Sequence, residues 1–116
     1  MIVNETDIAY SAAYYEGEGT IKAEWKYNNM KGERRPRKTP SVAISISSTD
    51  LEPLERMQNI WGGTINPGKM RKGATKLIYR WNLYKKKDVY QFIQLTSPWL
   101  SQRRQEQFAA VFQNPS

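Results

Sequence analysis

Residues 11–20 read Ser-Ala-Ala-Tyr-Tyr-Glu-Gly-Glu-Gly-Thr, and the character of the chain changes in the middle of them. Upstream, Ile8, Ala9, Ala12, Ala13 and Tyr15 recur at helical spacing, with Thr6 or Asp7 placed to cap the start. This predicts a helix over 6–16, stopped by Gly17 and Gly19. Downstream, Ile21, Ala23, Trp25 and Tyr27 alternate with Lys22, Glu24, Lys26 and Asn28, the pattern of a half-buried strand. Two carboxylates, Glu16 and Glu18, therefore sit among glycines at a helix-to-strand corner. Glycine lets a carbonyl turn outward and lets another chain come close. Carboxylate and carbonyl oxygens suit a hard cation such as Mg²⁺, which takes few protein ligands and keeps water or phosphate. A solvated turn has the same composition, so the corner alone leaves both readings open. Ala9, Ala12 and Ala13 make one helix face very small. Two copies crossing there on a twofold axis would bring two Glu18 side chains together, the layout of a two-metal phosphodiester site.

Outward from this corner, Val42, Ile44 and Ile46 alternate with Ala43, Ser45 and Ser47 as a second strand, after a Gly/Pro/Arg-rich loop over 29–40. Asp50 is a good N-cap for a helix striped with Leu54, Met57 and Ile60 or Trp61, and Gly62-Gly63 stop it. A short strand is expected at Thr64–Asn66, then a basic turn from Pro67-Gly68. Leu77, Tyr79, Trp81 and Leu83 alternate with Lys76, Ile78, Arg80 and Asn82 as a fourth strand. Helices are expected over 86–95 and 98–113, separated at Ser97-Pro98. The order α-β-β-α-β-β-α, with an extra C-terminal helix, predicts one α+β domain over residues 1–116. Its four-stranded antiparallel sheet would carry helices on one face.

The chain has 116 residues, a net charge of +7, and neither Cys nor His. That excludes a disulfide framework, a Cys/His zinc site, and catalysis through a Cys nucleophile or a His base. No stretch approaches the roughly 18 apolar residues of a membrane span. The start, MIVNETDIAY, is acidic where a secretory leader would be basic. An intracellular, non-secreted protein is expected, in a cytoplasm or an organelle matrix.

The charge is also unevenly placed. Residues 22–38 hold seven basic and two acidic residues, residues 69–87 hold eight basic and none acidic, and the remainder is net acidic. Such a separation aims a field at a polyanion. The charges do not lie on an amphipathic helix, so a membrane surface does not fit. With the apolar parity of the strands under helices, the opposite face carries Lys22, Glu24, Lys26, Asn28, Ser41, Ser45, Lys76, Arg80 and Asn82. A strand ribbon fits the major groove and reads base edges there. The expected tips, with Arg34, Arg35, Arg37 and Lys38 on one and Lys69, Arg71 and Lys72 on the other, would reach phosphates.

The stretch Ser11–Thr20 resembles the signature of the LAGLIDADG homing endonucleases, in the variant ending acid-Gly-acid-Gly-Ser/Thr. Residues 44–50 (Ile-Ser-Ile-Ser-Ser-Thr-Asp), with Leu54 and Gly62-Gly63, resemble the family's second strand, helix and turn. Pro98-Trp99-Leu100 followed by Arg103 and Arg104 resembles its late helix. The likeness covers about residues 7–112. It implies a saddle-shaped sheet on double-stranded DNA and a homodimer packed through Ala9, Ala12, Ala13 and Glu16, because the chain holds one signature. It implies a metal-dependent, site-specific double-strand cleavage with Mg²⁺ or another divalent cation such as Mn²⁺. The family pattern makes Glu18 the metal ligand with the Gly17 carbonyl, gives Glu16 a more structural role, and places Arg103 near the scissile phosphate and Ser48 among the solvent-ordering groups. This chain departs from the pattern at Ser11 (usually Leu), Ala13 (usually Gly), Arg103 (usually Lys) and Ser48 (often Gln). Arg103 does not readily give up a proton and would act as a fixed charge. The same scaffold also serves as a maturase on intron RNA or as a DNA-binding regulator. An unrelated small basic protein, of ribosomal type, is the remaining alternative.

Overall fold

The computed structural model describes residues 3–24, 27–30, 33–36, 40–68, 73 and 76–113, with 27–30 and 33–36 described by backbone alone. Helix α1 spans Glu5–Glu18. Its cap is Asn4, earlier than Thr6 or Asp7, and the Asn4 side chain accepts from the Asp7 N–H at 2.8 Å. The helix also runs through Gly17, where the sequence pattern predicts a stop, and ends at Gly19, whose N–H donates to the Tyr15 carbonyl. Gly19 is in extended conformation, and its glycine serves a close approach: a Cβ there would overlap the Tyr15 ring.

Strands β1 (Gly19–Glu24), β2 (Tyr27–Met30), β3 (Glu33–Pro36) and β4 (Ser41–Ser48) follow. Part of the expected loop is thus a hairpin, β2 against β3, forming a separate two-stranded sheet. The paired Met30 and Glu33 are separated in sequence by Lys31-Gly32, the two-residue length that hairpins favour. Helix α2 is Leu51–Trp61, capped by the Asp50 carboxylate on the Glu52 N–H, and Gly62 and Gly63 stop it at φ 87° and 89°. Strands β5 (Thr64–Pro67) and β6 (Tyr79–Leu83) lead to helix α3 (Lys86–Thr96). A single 3₁₀ turn over Ser97–Trp99 precedes α4 (Gln102–Val111), so the late helix is shorter than 98–113 and capped by Ser101.

The main sheet has the antiparallel order β1-β4-β6-β5. One parity of its strands enters the core: Ile44 and Ile46, Trp81 and Leu83 are buried with Leu54, Met57 and Trp61 of α2, Val89 and Phe92 of α3, and Phe108 of α4. Phe92 lies at the centre, with Tyr15, Trp61 and Trp81 rings 5.6, 4.9 and 6.1 Å away. Of the aromatics expected under the helices, Trp81 is fully buried and Tyr79 half-buried, while Trp25 and the Tyr27 side chain lie outside the described residues. Ser11 is fully buried, and its hydroxyl accepts the Trp61 indole N–H at 2.8 Å. Ser11, where the family pattern usually has Leu, therefore satisfies a buried donor. Among the described residues no helix is long and apolar enough to cross a membrane.

Candidate nucleic-acid interface and carboxylate corner

The last turn of α1 leaves carbonyls without helical partners, and α4 supplies some of the missing bonds. Arg104 is 8% exposed. Its Nε and one terminal nitrogen donate to the Glu16 carbonyl at 3.3 and 3.0 Å, and the other terminal nitrogen donates to the Gly19 carbonyl at 2.9 Å. A guanidinium at a helix C-terminus also opposes the negative end of the helix dipole. In return, Glu16 accepts from the Ser101 N–H at 2.7 Å and the Ser101 hydroxyl at 3.0 Å, at the start of α4. The Ser101 bonds, with Arg104 and Arg103 beside them, hold the Glu16 carboxyl below the ordinary carboxylate range. Glu16 is thus occupied within its own chain. The sequence pattern does not single out Arg104, because an arginine in a polar helix carries no mark of burial.

Glu18 follows immediately. It is exposed, and its carboxylate makes no hydrogen bond or ion pair with another described residue. Gly17 is exposed as well, and a Cβ there would meet nothing within 4 Å. A free carboxylate and a helix-end carbonyl are hard oxygen donors with open space around them, a partial set for Mg²⁺. The chain does not complete it: among the described residues no three His, Cys, Asp or Glu side chains cluster as metal ligands.

Arg103 projects outward with 64% of its side chain exposed and pairs with Glu16 at 3.8 Å. Ser48, at the end of β4, accepts from the Asp50 N–H at 3.0 Å. Its side chain also bonds the Tyr14 hydroxyl, which lies within electrostatic reach of Glu18 and Asp50. Burial, with those charges, raises the Tyr14 pKa despite the Ser48 bond. Tyr14 thus joins Ser48 to the Glu18 corner, a link the sequence did not disclose. On the outer side of α1, Ala13 is exposed and Ala9 half-buried. Ala12 does not share that face; it is 1% exposed and packs into its own core.

The sheet's other parity is open. Thr20, Ser45, Asn82 and Thr64 form one row across all four strands, and Ser47, Arg80 and Asn66 form the next. Lys22, Glu24, Ser41, Lys76 and Arg80 are exposed, and Ser45 and Asn82 half-buried. The described face is therefore a ladder of hydroxyls and amides with few cations. Thr20 and Ser45 hydroxyls bond each other at 2.7 Å. Lys26, Arg37, Lys38, Lys69, Arg71 and Lys72 lie outside the described residues, as do the side chains of Asn28, Arg34 and Arg35.

No protein-family model matches the sequence, and no curated protein is significantly similar to it. Solved structures are similar. The homing endonuclease I-CvuI in complex with its target aligns at a TM-score of 0.64 and 18% identity, over 93% of this chain and 67% of that one. The group I intron-encoded homing endonuclease I-CeuI complexed with DNA aligns at 0.65 and 12%, over 96% and 54%. The LAGLIDADG meganuclease I-CpaMI bound to uncleaved DNA aligns at 0.64 and 16%, over 90% and 34%. The chain thus spans about two thirds, a half and a third of these three proteins. Element order, sheet topology and these alignments agree: the chain has the fold of the LAGLIDADG homing endonucleases.

Proposed function

We propose that this chain is a metal-dependent, site-specific endonuclease that acts on a quasi-palindromic DNA duplex as a homodimer. The observation that carries the proposal is the Glu18 carboxylate, exposed and without a partner among the described residues, at a helix end whose neighbouring groups are bonded on both sides. One chain offers one free carboxylate at this corner, and a second copy crossing at Ala9 and Ala13 supplies another. Glu18 and the Gly17 carbonyl would hold Mg²⁺ or Mn²⁺, which when bound supplies Lewis-acid stabilisation of charge on the phosphate. Arg103 contributes a fixed positive charge beside the corner and takes no proton. The Tyr14 hydroxyl, with Ser48 bonded to it, would order solvent near Glu18. The open sheet face meets base edges, and the basic segments hold the backbone.

Arg103 is paired with Glu16, and Ser48 with Asp50. Both pairings favour a second reading, a non-catalytic protein on the same scaffold that binds intron RNA or regulates DNA. The test is incubation with a randomised duplex library and Mg²⁺, with Glu18→Gln and Ca²⁺ alongside, followed by sequencing of bound and cut molecules. Paired cuts at one quasi-palindrome, absent from Glu18→Gln while binding persists, support the nuclease. Selective binding without cutting supports the second reading, and absence of both moves it to RNA.

A further inference from the structure

The outer half of the open face holds a shallow hollow of about 470 Å³, lined by Ser47, Asn66, Pro67, Gly68, Ile78, Arg80 and Asn82. Ser47 on β4, Arg80 on β6 and Asn66 on β5 are register partners across three strands, so their side chains leave the same face at the same level. Arg80 is exposed, and its Nε donates to the Ser47 hydroxyl at 3.3 Å. Arginine has five N–H donors, and this bond uses the one nearest the backbone. Among the described residues the terminal fork has no hydrogen-bond or ion-pair partner. Arg80 is also the one described cation among the residues lining the hollow.

We propose that this hollow is a guanine-reading subsite, in which Arg80, oriented by Ser47, donates its terminal fork to O6 and N7 of one guanine in each half-site. The inference rests on the DNA-binding reading above and adds a base identity to it. Guanine presents two acceptors side by side in the major groove, and a forked donor matches that pair where adenine offers an acceptor and a donor. A side chain that only neutralised phosphate would need no orienting hydroxyl. It would weaken binding evenly across sequences when removed.

The test is selection of bound duplexes in Ca²⁺ by the full chain and by Arg80→Ala and Ser47→Ala. Affinity is then measured for the selected site with 7-deazaguanine, which lacks the N7 acceptor, at the enriched position. Wild type is expected to enrich a G·C pair at one position per half-site. Arg80→Ala is expected to lose that preference alone and to bind the site about tenfold or more weakly. Ser47→Ala is expected to fall between the two, and 7-deazaguanine to weaken wild type but not Arg80→Ala. Even weakening across all sequences in Arg80→Ala, or a guanine preference that survives it, overturns the subsite and leaves DNA binding intact. A wild type that enriches no duplex overturns the DNA-binding reading itself.

Discussion

Glu16 and Arg104 cap each other's helices. The Glu16 carboxylate, near the end of α1, satisfies the Ser101 N–H at the start of α4, and Arg104, in the first turn of α4, satisfies the Glu16 and Gly19 carbonyls at the end of α1. Helix ends expose unpaired donors at one terminus and unpaired acceptors at the other, so an acid and a base placed crosswise serve both. Gly17 and Glu18 lie between the two clamped carbonyls, and their position follows from this exchange.

Removing Arg104 leaves the Glu16 and Gly19 carbonyls without their buried donor and takes a positive charge from beside the partly exposed Glu16 carboxylate. Arg104→Ala is expected to lose about 3 kcal/mol of stability in urea denaturation. Arg104→Lys should restore only part of it, because an ammonium lacks the planar fork that spans two carbonyls. Full recovery in Arg104→Lys would mean that charge alone is required.

Glu18 has the opposite character. Its carboxylate contacts no other described residue, so Glu18→Gln should unfold within about 0.5 kcal/mol of wild type. Cleavage should vanish in the same variant while duplex binding in Ca²⁺ remains. Chelation by EDTA should stop cleavage by wild type, and added Mn²⁺ should restore it.

The pKa of Glu16 is lowered in the fold, chiefly by the Ser101 N–H. A depressed carboxylate stabilises the fold above its unfolded pKa, and that contribution is lost as pH falls through the folded value. The stability gap between wild type and Glu16→Gln should therefore be widest near neutrality. It should close below about pH 4. Denaturation curves at stepped pH measure it; a gap constant down to pH 2 would count against the Ser101 pairing.

Tyr15 is buried, and its hydroxyl lacks a hydrogen-bond partner of good geometry among the described residues. Burial pushes its pKa up to about 12, and the nearby Arg104 offsets only part of that. For a group with a raised pKa, the stabilisation is complete below the unfolded value, about 10 for tyrosine, and is lost as pH rises through about 12. Tyr15→Phe should be at least as stable as wild type at pH 7. It should also lose less stability across that alkaline window, which thermal melts at pH 9 to 12 would detect.

Ala13 faces solvent, and a long charged side chain there would block a close helix crossing. Ala13→Lys is expected to leave the fold within about 0.5 kcal/mol of wild type. In sedimentation velocity it should shift a dimer to a monomer and abolish paired cuts. A variant that stays dimeric would move the interface away from this face.

Much of the fold was legible in the residues. Alternation marked β1, β4 and β6, Asp50 and Gly62-Gly63 bounded α2, and Ser97-Pro98 separated the last two helices, because these are local preferences of a few neighbouring residues. The acid-Gly-acid-Gly corner was legible for the same reason. The assignments of Ala12, Ser11 and the two late arginines were not. Arg103 and Arg104 are adjacent, yet one is solvated and the other buried, since neighbours on a helix point about 100° apart. Which of them turns inward depends on how α4 lies against α1. Ser11 meets Trp61 fifty positions away, and Arg80 meets Ser47 across two strands brought together by the β1-β4-β6-β5 order. Local residue preferences alone place α1, α2, α3 and the strands β1, β4, β5 and β6, but not the β2-β3 hairpin inside the expected loop or the true ends of α1 and α4. That Arg104 is the buried clamp, that Ala12 belongs to the core, and that Glu18 has no partner among the described residues depends on distances between segments remote in the chain, which no local pattern encodes.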